Sequence, residues 1–150
     1  MHAVRDILLI FVGGGLGALT RYGIGLALMQ LLGKSFPWGT LVANVVGCLL
    51  AGIVGQRVLM LEPMAGDLSH ADPALAHFWR IAVMIGFLGG LTTFSAFGWE
   101  TMSRLVDRDG TQQLLAFVNI GANLVLGLFA VWIGMQIAKL VLCDGSRLGL

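Results

Sequence analysis

The chain has 150 residues, of which 57% are hydrophobic and only 11% are Asp, Glu, Lys or Arg. A soluble domain carries about 25% charged residues. With that deficit and a formal net charge of +1, the chain has neither the charged skin of a cytosolic enzyme nor the basic footprint of a nucleic-acid binder, and its apolar content is too high for disorder. The composition leaves an integral membrane protein.

A bilayer core of about 30 Å is crossed by roughly 20 helical residues. Four apolar runs meet that length: 7–32, interrupted by Arg21; 38–61, crossing Arg57; 81–103, with Glu100 near its end; and 114–142, with Lys139 near its end. None alternates with period two, so transmembrane strands are excluded. The expected fold is all-α, a single four-helix transmembrane domain over residues 1–150. Arg5 before an apolar run resembles a signal peptide, but the run is too long and lacks a small-residue cleavage site, so it is expected to stay as the first helix. Between the runs, Gly33 to Pro37 reads as a tight turn and Arg104 to Gln113 as a short polar turn. Residues 62–79, with Pro63 and Pro73, read as one long surface loop.

Cys48 and Cys143 make neither a disulfide framework nor a metal site, and His2, His70 and His77 have no second ligand at helical spacing. Gly13-Gly14-Gly15-Leu16-Gly17 lacks the rest of a phosphate loop. With Gly86 and Gly90, and with Gly47, Ala51 and Gly55, it reads as small-residue helix packing. No nucleophile–base pair appears, so an enzyme is not expected.

Orientation follows the loop cations. Arg5, Arg57, Arg80, Lys139 and Arg147 fall on one side, and Lys34, Arg104, Arg108 and Arg21 on the other. That near balance predicts insertion in both orientations and an antiparallel homodimer. The polar groups within the spans cluster in one half of the membrane. At about 1.5 Å per residue, Asn44 lies roughly 9 Å and Asn119 and Asn123 roughly 8 and 14 Å in from the second side, and Asn119 and Asn123 share a helix face. Polar groups at such depth face a protein interior or a water-filled path. Amides offer donors without net charge, which suits a path for an anion. Depth alone leaves open whether Arg21 and Glu100 pair or line a vestibule.

The most specific stretch is Gly86-Phe87-Leu88-Gly89-Gly90-Leu91-Thr92-Thr93-Phe94-Ser95-Ala96-Phe97. Glycines and hydroxyls where leucines would be expected predict a third helix broken near the midplane, which is stable only inside protein or beside a cavity. Phe94 and Phe97 can share a face, and the positive edge of an aromatic ring can touch an anion.

With these motifs, together with Arg21-Tyr22, Pro37-Trp38-Gly39-Thr40-Leu41 and Phe117-Val118-Asn119, the chain resembles the Fluc/CrcB fluoride channels over nearly its whole length. The resemblance implies passive, potential-driven fluoride efflux conferring fluoride resistance. It implies an antiparallel dual-topology dimer in the cell (inner or plasma) membrane, with two pores lined by both subunits. It assigns Asn44, Thr93, Phe94, Ser95, Phe97, Asn119 and Asn123 to the fluoride pathway. It places a structural Na+ on the dimer axis, held by the backbone carbonyls of Gly89 and Thr92. Asn at both 119 and 123, where the family often has Ser or Thr, is a departure, as is Ala96 in place of a common Thr. The competing expectation is a small dual-topology, proton-coupled multidrug antiporter, which needs a carboxylate deep in the membrane; only Glu100 is on offer, near a helix end. A packing subunit of a larger membrane complex would explain the small-residue motifs but not the asparagines or the Thr-rich break.

Overall fold

The computed structural model describes residues 2–62 and 72–145, and these residues form helices and no strand. In chain order they are α1 (His2–Leu32), α2 (Trp38–Leu61), α3 (Pro73–Phe78), a π-helical segment (Trp79–Leu88), α4 (Gly89–Leu91), α5 (Phe94–Leu105) and α6 (Gly110–Gly145). α1, α2, the composite span Pro73–Leu105 and α6 are each long and apolar enough to cross a membrane. Pro63, Asp67, His70 and Arg147 lie outside the described residues, as do the side chains of His2 and Cys143.

Gly33 ends α1 with φ of 78° and returns its N–H to the Met29 carbonyl at 3.1 Å. This left-handed cap needs a residue without Cβ strain. The third span begins at Pro73, earlier than the hydrophobic run at Ile81, so the second half of the expected loop is helix. Asp72 caps it by accepting from the Leu75 N–H at 2.9 Å, and Pro73 fills the first helical turn, where a missing N–H costs nothing. The two ends of the connection are tied by the Asp72 N–H to the Leu61 carbonyl at 3.0 Å and by the Glu62–Arg80 ion pair. His77 on α3 lies 2.9 Å from Asp6 of α1. At the opposite turn Asp109 accepts from the Thr111 N–H at 2.9 Å, so α6 starts at Gly110, four residues before the apolar run.

The helices pack α1 against the π segment and α4, α2 along α6, and α5 on α6. Glycines decide these contacts. A Cβ on Gly13 would lie 2.6 Å from the Ala82 carbonyl, one on Gly17 would strike the Phe87 carbonyl, and one on Gly90 would strike that of Gly14. The two expected GxxxG pairs therefore interlock backbone to backbone. Gly47 faces the Thr92 methyl and Gly55 the Met84 methyl. The glycines that let α2 meet α6 are Gly52 and Gly134, each against the other helix's backbone. The central cluster is small: Ala43, Leu88 and Leu91, with Ile24, Leu50 and Val83 around it. Large apolar groups such as Phe11, Leu19, Trp99 and Leu128 lie exposed on the outside. That distribution is stable only where lipid or another apolar surface replaces water, so the chain is a multi-pass membrane protein.

Candidate functional site

The third span breaks where the sequence predicts. Thr92 (φ −84°, ψ 156°) and Thr93 (φ −153°, ψ 120°) are extended between α4 and α5. The Thr92 hydroxyl donates to the Leu88 carbonyl at 2.9 Å, closing the upstream half. The Thr93 hydroxyl accepts from the Ala96 N–H at 3.2 Å and lies 3.2 Å from the Ser95 hydroxyl, opening the downstream half.

The break releases backbone groups that a continuous helix would pair. The Thr93 N–H, which would have gone to Gly89, donates instead to Asn44 Oδ1 at 2.8 Å. Asn44 Nδ2 donates back to the Thr93 carbonyl at 3.2 Å and across to Asn123 Oδ1 at 2.9 Å. Asn123 Nδ2 reaches Asn119 Oδ1 and the Asn119 carbonyl, both at 3.0 Å, and Asn119 Nδ2 donates to the Thr101 hydroxyl at 2.8 Å. The three asparagines thus form one connected network across α2, α5 and α6.

A cavity of about 440 Å³ opens beside the break, lined by Asn44, Cys48, Thr93, Phe94, Phe97 and Asn123 among others. Phe94 is 83% exposed, and its ring centroid lies 5.5 Å from that of Phe97 at a tilt of 54°. The two rings share one face of α5, as their spacing predicts. Ser95 is exposed and turns to the Thr93 hydroxyl. Asn119 is fully buried at 0% exposure and meets the cavity only through Asn123.

Arg21 and Glu100 do not pair. Arg21 donates to the Thr92 carbonyl at 3.2 Å, and Glu100 Oε1 accepts from the Thr40 hydroxyl at 2.8 Å. The guanidinium is drawn to the carbonyl that the break exposes, and the carboxylate to a hydroxyl at the start of α2. Both line a second cavity of about 290 Å³ together with Lys34, Thr40 and Arg104, so three cations and one carboxylate border it. Its field favours anions. Sequence reasoning missed Thr40 and Thr101. Helical spacing carries a signal for both: Thr40 lies one turn before Asn44, and Thr101 one turn after Phe97.

The model of the family described as CrcB-like protein, Camphor Resistance (CrcB), matches residues 8–135. A relative from Coxiella burnetii (strain CbuK_Q154) is 36% identical over 134 residues, covering 89% of this chain and 98% of the relative. One from Solibacter usitatus (strain Ellin6076) is 39% identical over 132 residues, covering 88% and 97%, and one from Shewanella sp. (strain W3-18-1) is 39% identical over 134 residues, covering 89% and 96%. Each of the three bears the name fluoride-specific ion channel FluC, that of a channel rather than an enzyme. The match reaches into all four membrane helices and takes in every residue of the break, and the chain belongs to the CrcB family.

Proposed function

We propose that the chain is a fluoride channel that works as an antiparallel dimer. The observation that carries the reading is the cavity at the helix break, where the amides of Asn44 and Asn123 and two phenylalanine rings converge in a largely apolar wall, in a chain 36 to 39% identical to relatives named as fluoride channels. Fluoride is small and holds its water tightly, so a path must replace that water with donors and still release the ion. Amide and hydroxyl donors do so without a formal charge that would trap it. The edges of Phe94 and Phe97 add weak positive potential in an apolar wall. The cationic vestibule raises the local anion concentration ahead of the narrow part. Flow is passive: HF enters cells from acidic surroundings, dissociates, and the membrane potential drives the anion out. The near balance of loop cations supports insertion in both orientations, and Phe94, exposed in one chain, would line a pore closed by the second.

The test is fluoride release from liposomes holding the purified protein, read with a fluoride electrode, with a potassium ionophore present and chloride followed in parallel. Rapid fluoride release with little chloride is expected; no fluoride release from folded protein would overturn the reading. Phe94→Ile and Phe97→Ile, which keep apolar bulk but remove the ring edge, should each slow release by roughly two- to tenfold, since an aromatic contact contributes about 0.5–1.5 kcal/mol. Wild-type rates in both variants would take the rings out of the pathway.

The break also suits a sodium ion. Its carbonyl at Gly89 has lost the Thr93 N–H to Asn44, and the Thr92 carbonyl sits in extended backbone with Arg21 on one lone pair. These two oxygens would hold the ion with the matching pair of a second chain, and the ion would lock the two breaks together. Replacing sodium by N-methylglucamine should lower the dimer's melting temperature by a few degrees, as expected when a ligand specific to the folded state is withdrawn. An unchanged melting temperature would mean that no cation is held there.

A further inference from the structure

The amides of Asn44, Asn123 and Asn119 are not free to point either way. A backbone N–H can only donate, so the atom of Asn44 that it meets at 2.8 Å is the oxygen. That choice puts the Asn44 NH₂ toward Asn123, and the Asn123 atom it meets at 2.9 Å must be an oxygen. Asn123 then presents its NH₂ to Asn119 at 3.0 Å, and Asn119 presents its own to the Thr101 hydroxyl at 2.8 Å. The backbone of Thr93 fixes this polarity at Asn44, the Asn119 carbonyl supports it at Asn123, and the side-chain bonds carry one direction through all three amides. Both Asn44 hydrogens are engaged, one by Asn123 and one by the Thr93 carbonyl at the longer distance of 3.2 Å. All three partners border the cavity, and the longer bond, that to Thr93, is the one a passing anion replaces more readily. Asn119 and Thr101, 0% and 4% exposed, are out of the anion's reach.

We propose that Asn119 and Asn123 form a one-way amide relay, anchored on Thr101, that holds the Asn44 amide with its second N–H toward the cavity, and that Asn119 is a positioning residue for anion passage. This rests on the channel reading above and gives the fourth-helix asparagines different tasks: Asn123 borders the path, whereas Asn119 acts through it. The departure from Ser or Thr follows from this arrangement. A hydroxyl is shorter than an amide and cannot accept from one neighbour and donate to the next with two separate atoms.

The chain contains three asparagines, so ¹⁵N-asparagine labelling of the full-length protein yields three side-chain NH₂ pairs. The experiment reads those pairs in detergent and fluoride release per folded protein in liposomes, for wild type, Asn119→Leu, Thr101→Val and Thr101→Ser. Asn119→Leu removes the side-chain bonds to Asn123 and Thr101 but keeps the Asn119 carbonyl as an acceptor for Asn123, so the relay predicts a fall in flux of about five- to tenfold. A smaller fall is expected in Thr101→Val, and recovery in Thr101→Ser, which keeps the hydroxyl. The Asn44 pair should shift in the first two and return in the third. Wild-type flux in Asn119→Leu, or lowered flux with the Asn44 pair unmoved, would overturn the relay. Should Asn119→Leu fail to fold, the near-isosteric Thr101→Val decides by the same two readings. Should the wild type release no fluoride, the channel reading fails, and an unmoved Asn44 pair would sink the relay separately.

Discussion

Asn44→Asp should bring fluoride release close to the background of empty liposomes. A carboxylate at the wall of the break cavity repels the anion: two unit charges about 4 Å apart at an effective dielectric of about 20 interact by about 4 kcal/mol, close to a thousandfold in rate. The substitution also reverses the local hydrogen bonding. Asp still accepts from the Thr93 N–H, but its second oxygen then faces Asn123 Oδ1 and the Thr93 carbonyl, both acceptors that Asn44 now satisfies as a donor. Asn44→Ser, uncharged and with one donor, is the comparison and should lose only about tenfold, in line with one forfeited hydrogen bond. Release is measured after size-exclusion chromatography has shown both variants folded. Wild-type release by Asn44→Asp would place the anion's route elsewhere than the cavity beside Phe94.

Gly134→Leu should prevent the chain from assembling at all. The added Cβ would strike the Leu49 carbonyl of α2, with the Ile53 nitrogen at 3.0 Å and the Gly52 Cα at 3.1 Å. Every one of these atoms is helix backbone, so no side chain can rotate away. Overpacking in ordinary cores, where side chains can yield, costs about 1–3 kcal/mol; here the obstacle is backbone, so α2 and α6 must part at this level, and the cost rises toward the whole stability of about 5–15 kcal/mol. Gly23→Leu is the control, because its Cβ meets nothing within 4 Å. The yield of monodisperse protein in detergent distinguishes them. Gly134→Leu recovered at wild-type yield would mean that the seam can open without loss.

The four spans and the broken third helix were legible in the sequence because both rest on strong signals: apolar length, and a run of glycines and threonines where leucines belong. The ends of the spans were not. Hydropathy falls before Ile81 and before Leu114, yet Asp72 with Pro73 and Asp109 with Gly110 start helices several residues earlier. Their cap chemistry was present in the sequence and outweighs the loss of apolar character. Among the small residues, Gly13 with Gly17 and Gly86 with Gly90 were readable as packing motifs from their spacing, whereas Gly52 and Gly134 were not, and which motif meets which was not readable for either set. Gly52 and Gly134 each lack a second glycine four residues away, and they are paired only by the rotation of two helices about their axes. The same rotation decides hydrogen-bond partners. It turns Arg21 to the Thr92 carbonyl rather than to Glu100, Glu100 to Thr40, and Asn119 inward to Thr101. Depth in the membrane fixes which residues lie at one level but not which way they face.

The pairing of the Thr93 N–H with Asn44 also bears on the order in which the protein is built. An opened backbone hydrogen bond costs several kcal/mol in hydrocarbon, where no water can relieve it. Its acceptor belongs to α2, 49 residues earlier in the chain, and is already made when the third span leaves the ribosome. The break can thus enter the bilayer with its exposed donor satisfied by a helix that preceded it. Of the two N–H groups of the Asn44 amide, one is met by the Thr93 carbonyl and the other only when α6 arrives with Asn123. Synthesis from the N-terminus supplies each partner in the sequence in which it is required, and a chain permuted to make α2 last would have to insert the break unpaired.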